Sequence, residues 1–570
     1  MNIVKRLDSD LHAALSENYQ EAYQNLDKGS LDAICFEVGT NPEHGDFSSS
    51  FALKLSKQLK TNPREIAESI KTSLQNELIT KVEVLGPGFL NVFLTADTKA
   101  ILLNKIIANP ETYGAKTSNS KKVLVEFVSS NPTGPLHVGH GRGAILGNAL
   151  ANLFKNSGYD VTKEYYVNDA GRQISILSAS VLLNAFCSKF ESEGTYEGEY
   201  VKSLSQSFKE TVSSIVIDLD IELNQLDKDQ RLDKVIGLLS NNFPEHWEKA
   251  RKFSVDEIIQ LIKSDLKNFN VIHDEWFFES SVGKIDEKGS HLSNGLSAVT
   301  DKKLTFKKDG ATWFRSTNFG DDKDRVLVRD NGEPTYFMTD IAYHNNKIKR
   351  GYDLCVNIFG ADHHGYVSRL SSAFNALKSD LQELEVILYQ LVNLYEDGKQ
   401  KQMSTRKGEF YSLKDLYEEL GSDAIKFFFL EKKSDHTMDF DINKAKEANK
   451  NNSYFYTQYA HVRCASILSK AKLGKTPKIL DEDINNNFNL INNLINFPSL
   501  LKEYTKERSP HSLVHYLKEV SSLYHSFYEN FSVLSDDNNI QESRLALTKA
   551  TQIVISRGLL ILGVKPLKEM

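Results

Sequence analysis

The sequence predicts an α/β protein: a doubly wound parallel sheet at the centre, an α+β unit before it and an all-α helical bundle after it. Three observations carry this. A β-branched run over 123–128, a Pro/Gly loop, a helical stretch and a second strand-like run over 161–167 spell a βαβ unit. A further apolar run, 354–359, ends in a Gly-containing turn and a helix reaching about Leu377, so the same alternation has a second half. Beyond about Asp441 the pattern is helical throughout, with Ile491, Leu494 and Ile495 at helical spacing.

Taken in order, residues 1–118 mix helical stretches with strand-like runs, and the run from Ile79 to Leu94 is broken by Gly86, Pro87 and Gly88. This reads as a small α+β unit. Residues 119–440 hold the doubly wound unit. Within them, 182–302 is charged and helical without strand–loop–helix alternation, which marks an insertion; alternation resumes near Arg325. Residues 441–570 form the bundle. In an open sheet of this kind ligands bind at the carboxyl ends of the strands, and the motifs below fall at those ends.

The chain has 570 residues, 40% hydrophobic and 25% charged, material for roughly four average domains. No apolar run approaches the roughly 18 residues of a membrane span, and the first ten residues lack the apolar stretch of a secretory signal. A cytosolic protein with no membrane partner is expected. Cys35, Cys187, Cys355 and Cys464 lie far apart with no CxxC or Cys/His spacing, so neither structural zinc nor a disulfide framework is expected. A net charge of -7 leaves a nucleic-acid partner open, because binding follows local clusters of positive charge rather than their sum.

The first motif joins the strand ending at Val128 to a helix opening at His137–His140. Such a helix start offers unpaired N–H groups and partial positive charge, which suit phosphate, and Gly139 permits close approach of a nucleotide. His137 and His140, three apart, share a face and can donate to phosphoryl oxygens as charge grows on them. Ile145, Leu146, Ala149, Leu150, Leu153 and Phe154 form the buried stripe of this helix, and Gly158 suits its cap. For an isolated HxxH, a pair of helix-capping imidazoles is the plainer reading. The second motif, KQKQMSTRK over 399–407, supplies four cations; alone it would read as a solvated face.

Residues 125–142, VEFVSSNPTGPLHVGHGR, resemble the HIGH signature of class I aminoacyl-tRNA synthetases in the extended form of the arginyl-tRNA synthetase family. The likeness continues through 165–173. Residues 402–406 are similar to the KMSKS loop, although Gln402, Thr405 and Arg406 replace its two lysines and final serine. The resemblance implies a Rossmann-type catalytic domain that binds ATP with Mg²⁺. It places ATP on Pro132, Thr133, Gly134, Pro135, Leu136, His137, Val138, Gly139, His140, Gly141 and Arg142, and on Met403 and Ser404. Gly360 and Asp362 would meet ribose and adenine, Asp362 being otherwise a helix N-cap. His137, His140, Arg406 and Lys407 would carry the chemistry, with Lys401, Arg406 and Lys407 the candidate contacts of the leaving pyrophosphate.

The same resemblance implies L-arginine as substrate. A guanidinium is planar, permanently charged and carries five N–H donors, so its pocket needs carboxylate and amide oxygens in a fixed fork. Asp340 would pair with it and Asn131 would hold the α-amino acid end, with Glu126 and Tyr336 completing the wall; Tyr336 and Asp340 share a face if their segment is helical. Outside the family context, Asp340 reads as a solvated helix carboxylate and Tyr336 as a core aromatic.

Residues 452–463 are similar to the opening of the family's anticodon-binding domain, where Tyr454 and Tyr459 would stack on bases and His461 and Arg463 lie near phosphate. Helix packing is the alternative for these aromatics. Residues 41–47 and 556–564 match the two ends of the family pattern, and the first unit is expected on the tRNA elbow. The implied activity is conversion of arginine to arginyl-adenylate and transfer to the 3′ end of tRNA(Arg), by a monomer. The rivals are another class I synthetase, a small-molecule nucleotidylyltransferase and a silent tRNA-binding paralogue. Chain length and the aromatic-basic bundle count against the second, and intact His137, Gly139 and His140 against the third.

Overall fold

The computed structural model describes residues 3–39, 41–187, 194–217, 227–401 and 411–570. Strands β1 (Glu37–Val38), β2 (Phe47–Ser49), β3 (Ile79–Leu85) and β4 (Phe89–Leu94) form an antiparallel sheet in the order β1-β2-β4-β3. The break at 86–88 is its hairpin turn: Leu85 pairs with Phe89, and Gly86 and Gly88 adopt the positive φ values that glycine alone takes freely. Asp46, from the 41–47 motif, is buried; its carboxylate accepts from the Leu94 N–H at 2.7 Å and pairs with Lys99 at 2.7 Å. Asn492 of the bundle donates to the carbonyls of Gly39 and Asp46 at 2.7 and 3.3 Å. That motif therefore docks the first unit onto the last.

The central strands are β5 (Lys122–Glu126), β6 (Asp160–Val167) and β7 (Glu275–Phe278). A side sheet follows, made of β8 (Thr305–Lys308), β9 (Ala311–Phe314) and β10 (Arg325–Val328), before β11 (Leu354–Gly360) and β12 (Glu383–Tyr389) return to the centre. A third small sheet comprises β13 (Val392–Glu396), β14 (Lys399–Gln400) and β15 (Met438–Asp441). The central sheet runs β12-β11-β5-β6-β7, with every pairing parallel. The chain winds outwards from β5 to β7, then crosses back to the other side of β5. The winding direction switches between β5 and β11, and their carboxyl ends, Glu126 and Gly360, open the crevice that such a switch creates.

One expectation needs correcting. The stretch 182–302 is not purely helical: helices Glu199–Thr211, Lys228–Asn242 and Pro244–Asn268 give way to β7, an edge strand of the central sheet. Its four residues, all at least partly exposed, are too few to display an alternation.

The helix Val138–Asn156 is wedged between sheet and bundle. Its predicted stripe is buried, but so are Arg142, Ala144, Asn148 and Ala151 on other faces, because the bundle covers them; Asn152 donates to the Ile561 carbonyl at 3.1 Å. Glycines bring this helix onto the sheet: a Cβ at Gly147 would lie 2.2 Å from the Phe127 ring. Gly158, at φ +88°, closes the helix. The N–H groups of Gly158 and Tyr159 return to the carbonyls of Lys155 and Phe154 at 3.0 and 3.2 Å, a paired C-terminal cap that needs a left-handed residue. A Cβ there would also sit 2.3 Å from the Thr117 carbonyl oxygen. Gly158→Ala is expected to cost more than about 1 kcal/mol of stability, measured as a lower urea midpoint; an unchanged midpoint would show that the turn tolerates a side chain.

Candidate active site

A cavity of about 620 Å³ opens at the carboxyl ends of β5 and β11. One wall is the start of the 138–156 helix. His137 is its N-cap, and the two imidazoles cap each other's backbone: Nδ1 of His137 accepts from the His140 N–H at 3.3 Å, and Nδ1 of His140 from the His137 N–H at 3.5 Å. The rings stack with centroids 3.6 Å apart at 19°. The capping arrangement itself brings both imidazoles to the cavity wall. With both Nδ1 atoms accepting, each neutral ring carries its proton on Nε2, free to donate. Burial lowers the pKa of His137, and burial with the adjacent His137 holds His140 well below the usual histidine range. Both rings are therefore neutral donors at pH 7. Gly139 also lines the cavity, and a Cβ there would lie 2.9 Å from the His137 ring; the glycine makes room for the imidazole.

Other residues of the signature pack instead of lining the cavity. The Thr133 carbonyl accepts from the Tyr200 hydroxyl at 3.0 Å, and Gly134 abuts the same ring. Pro132, Leu136 and Val138 are buried, and Pro135 is partly buried. Leu136 donates its N–H to Asp265 at 3.4 Å, a carboxyl that burial pushes up to about 6, and accepts from the Leu413 N–H at 2.9 Å. Gly141 lets Leu413 approach to 2.5 Å of where a Cβ would be. Arg142 departs furthest from its expected contact with ATP. Its buried guanidinium donates to the carbonyls of Gln390, Leu391 and Lys433 at 2.7, 3.4 and 3.0 Å, clamping the helix to the start of β13.

Gly360 and Asp362 line the wall that β11 provides. Asp362 caps no helix: it sits in the short turn Ala361–Tyr366, exposed, 3.6 Å from the His363 imidazole. Its Oδ1 folds back to 2.4 Å from where a Gly360 Cβ would be, so that position excludes a side chain. Met403, Ser404, Arg406 and Lys407 lie outside the described residues. The strands leading to them are clear: β13 and β14 pair through Asp397 and Gly398, both at positive φ, as a tight hairpin requires. Lys401, beside them, pairs with Glu396 at 2.5 Å.

The cavity also has an acidic lining. Glu126 and Asp340 both line it, and Glu279 stands behind Tyr166, whose hydroxyl donates to it at 2.9 Å. Burial, then the negative charges of Glu279 and Glu126, hold the Asp340 carboxyl well above the usual carboxylate range. The Tyr366 hydroxyl donates to Asp340. Asn131, at the rim, donates to Gln173 Oε1 at 2.8 Å. Tyr336 stands apart: the helix Tyr336–Lys349 forms as expected, but Tyr336 is its first residue, 73% exposed, and is not among the residues lining the cavity. The aromatic wall comes from Tyr166, Tyr343 and Tyr366. Tyr343 follows Asp340 at i+3, a spacing that marks the same helix face.

Three family descriptions match consecutive stretches of the chain. They are "Arginyl tRNA synthetase N terminal domain" over 7–94, "tRNA synthetases class I (R), catalytic domain" over 102–464 and "DALR anticodon binding domain" over 457–570. The chain belongs to the arginyl-tRNA synthetase family. A protein named arginine–tRNA ligase from Vesicomyosocius okutanii subsp. Calyptogena okutanii is 38% identical over 546 residues, covering 92% of this chain and 93% of that one. Another of that name from Nitrosomonas europaea is 38% identical over 579 residues, covering 96% and 98%. The fold matches that of Thermus thermophilus arginyl-tRNA synthetase with a TM-score of 0.76 at 21% identity, covering 99% of this chain and 100% of that one.

In the bundle, helix Ser453–Lys470 divides the residues expected to meet RNA. His461 is buried, with Nδ1 2.6 Å from the Leu567 carbonyl, and so anchors the C-terminal tail instead of facing solvent. Tyr454 packs against Phe427 at 5.9 Å. Tyr459 and Arg463 do reach the surface together: the guanidinium lies 4.6 Å from the Tyr459 ring and 4.3 Å from that of Tyr528, and bonds His525 Nδ1 at 2.9 Å. Tyr459 and Tyr528 are each 40% exposed. Tyr528 and His525 come from the helix Pro510–Asn530, too far along the chain for the 452–463 motif to include them.

Proposed function

We infer that this chain is an arginine–tRNA ligase whose 620 Å³ cavity brings ATP and arginine together. The observation that carries this is the lining of the cavity, which combines two neutral imidazoles locked as Nε2–H donors with the carboxyls of Glu126 and Asp340. Uncharged donors suit phosphoryl oxygens whose charge grows in the transition state. A cluster of carboxyls in a concave site suits a planar, permanently charged guanidinium.

The arginine carboxylate attacks the α-phosphate of ATP, releasing pyrophosphate, and the 2′-hydroxyl of the terminal tRNA ribose then attacks the carbonyl of the arginyl-adenylate, taking the arginyl group and releasing AMP. His137 and His140 stabilise the first step by donation, and Arg406 and Lys407 draw off the pyrophosphate. Mg²⁺ enters on the ATP phosphates, as is usual in phosphoryl chemistry. Asp340 takes the guanidinium, Asn131 the α-amino acid end, and Asp362 the ribose. The Tyr459, Tyr528 and Arg463 surface stacks on unpaired anticodon bases, while the first unit reaches the tRNA elbow. No helix among the described residues is long and apolar enough to cross a membrane.

Pyrophosphate exchange with each amino acid, with and without tRNA, tests this reading. Exchange is expected with arginine alone, and only when tRNA is present. Exchange driven by a different amino acid would overturn the assignment of substrate.

A further inference from the structure

Besides the exposed Asp362 on the β11 wall, two carboxyls line the cavity, Glu126 and Asp340, and their resident partners differ. Both oxygens of Glu126 are occupied. Its Oε2 pairs with the ammonium of Lys347 and lies 3.2 Å from the Tyr343 hydroxyl, which donates to Glu164 at 2.5 Å, while Ser129 donates to Oε1 at 3.3 Å. Lys347 is 0% exposed. Its Nζ also donates to Asn357 Oδ1 at 3.0 Å and lies 4.3 Å from the Tyr343 ring centre. Seven residues after Asp340, it occupies the same face of the helix two turns on. Among the described residues Asp340 pairs with no cation within contact distance; its side-chain partner is the phenol of Tyr366.

We propose that Lys347 is a specificity-determining residue: a protein ammonium held permanently on Glu126, so that no ammonium-bearing substrate finds a vacant carboxylate there. A lysine side chain ends in a compact point charge on a flexible stem, as Lys347 does, and one carboxylate is enough to seat it. With Glu126 taken and Asp362 exposed on the β11 wall, the carboxyl left for a substrate side chain is Asp340, whose neighbouring phenol of Tyr366 adds an oxygen for the multiple donors of a guanidinium. Exclusion of this kind, by an occupied partner, is one way closely related ligands are told apart. The proposal rests on the reading that this cavity binds the amino-acid substrate.

The test is the ratio of kcat/KM for arginine to that for lysine in tRNA-dependent pyrophosphate exchange. Lys347→Met, of similar length, leaves Glu126 vacant, and the ratio is expected to fall roughly tenfold or more. In Glu126→Gln/Lys347→Met no carboxylate remains there, and the ratio is expected to recover, whereas a loss of packing would persist in the double variant. Lys347→Arg, which keeps the cation, should hold the wild-type ratio. If Lys347→Met does not fold, Lys347→Gln, which leaves the Glu126 charge without a counter-ion, is expected to lower the same ratio. An unchanged ratio in the neutral variant, or one equally low in the double variant, overturns the proposal. Asp340→Asn separates the two ideas: if it leaves arginine exchange intact, the substrate site itself is misassigned, whereas impaired exchange with an unaltered Lys347 ratio defeats the Lys347 proposal alone.

Discussion

His140→Ala is expected to slow tRNA-dependent exchange about 10²- to 10³-fold while tRNA binding stays near wild type. The imidazole has two tasks, and their magnitudes separate them. As a cap it satisfies the His137 N–H from Nδ1, and losing a helix cap typically costs about 1 kcal/mol, worth less than tenfold in rate even if all of it reached the barrier. A larger loss must come from the Nε2–H donor in the cavity. The pH profile adds a check on sign. Burial lowers both imidazole pKa values, that of His140 well below the usual range, so the donors stay neutral as pH falls through 6.5, where a solvated histidine would titrate. The rate should show no inflection from these rings there. Turnover unchanged in the variant would refute the phosphate role, and weakened tRNA binding of similar size would point to disruption beyond the cavity.

What the sequence revealed follows the range of the interactions involved. The strand, loop and helix around 122–156 were legible because glycine, proline and apolar spacing act locally, and the paired imidazoles sit three residues apart on one turn. Tyr336 shows where that reasoning ends. Its spacing from Asp340 identified a shared helix, but a first-turn residue can project into solvent while the next turn faces the cavity. Arg142 and His461 lie two residues from His140 and Arg463, yet each spends its polar atoms on backbone carbonyls from distant segments, contacts that leave no local trace. Of the groups the sequence did not reveal, Tyr343 and Lys347 carried a usable signal, at i+3 and i+7 from Asp340. Glu279 carried none: it follows β7, a strand too short to predict, and meets Tyr166 across 113 positions.

Asp340→Asn should weaken arginine roughly 100-fold or more, by removing the charged half of a desolvated ion pair worth several kcal/mol, and should at the same time stabilise the empty enzyme. The two effects share one cause. In the empty cavity, burial and the charges of Glu279 and Glu126 raise the Asp340 pKa well above the unfolded value of about 3.9. Between those two values the folded state holds more protons than the unfolded state, so stability falls as pH rises through the interval. An amide in place of the carboxyl removes that dependence and keeps a partner for the Tyr366 hydroxyl, and the apo variant should melt higher than wild type above the interval. Arginine acts in the opposite direction, because a guanidinium favours the ionised carboxyl and expels its proton. The KM for arginine should therefore fall as pH rises, and protection against melting by arginine should grow. Calorimetric titrations in buffers of different ionisation enthalpy would register the released proton in wild type and none from this group in the variant. Arginine affinity that ignores both pH and the substitution would remove Asp340 from the guanidinium site and leave its raised pKa as a consequence of burial alone.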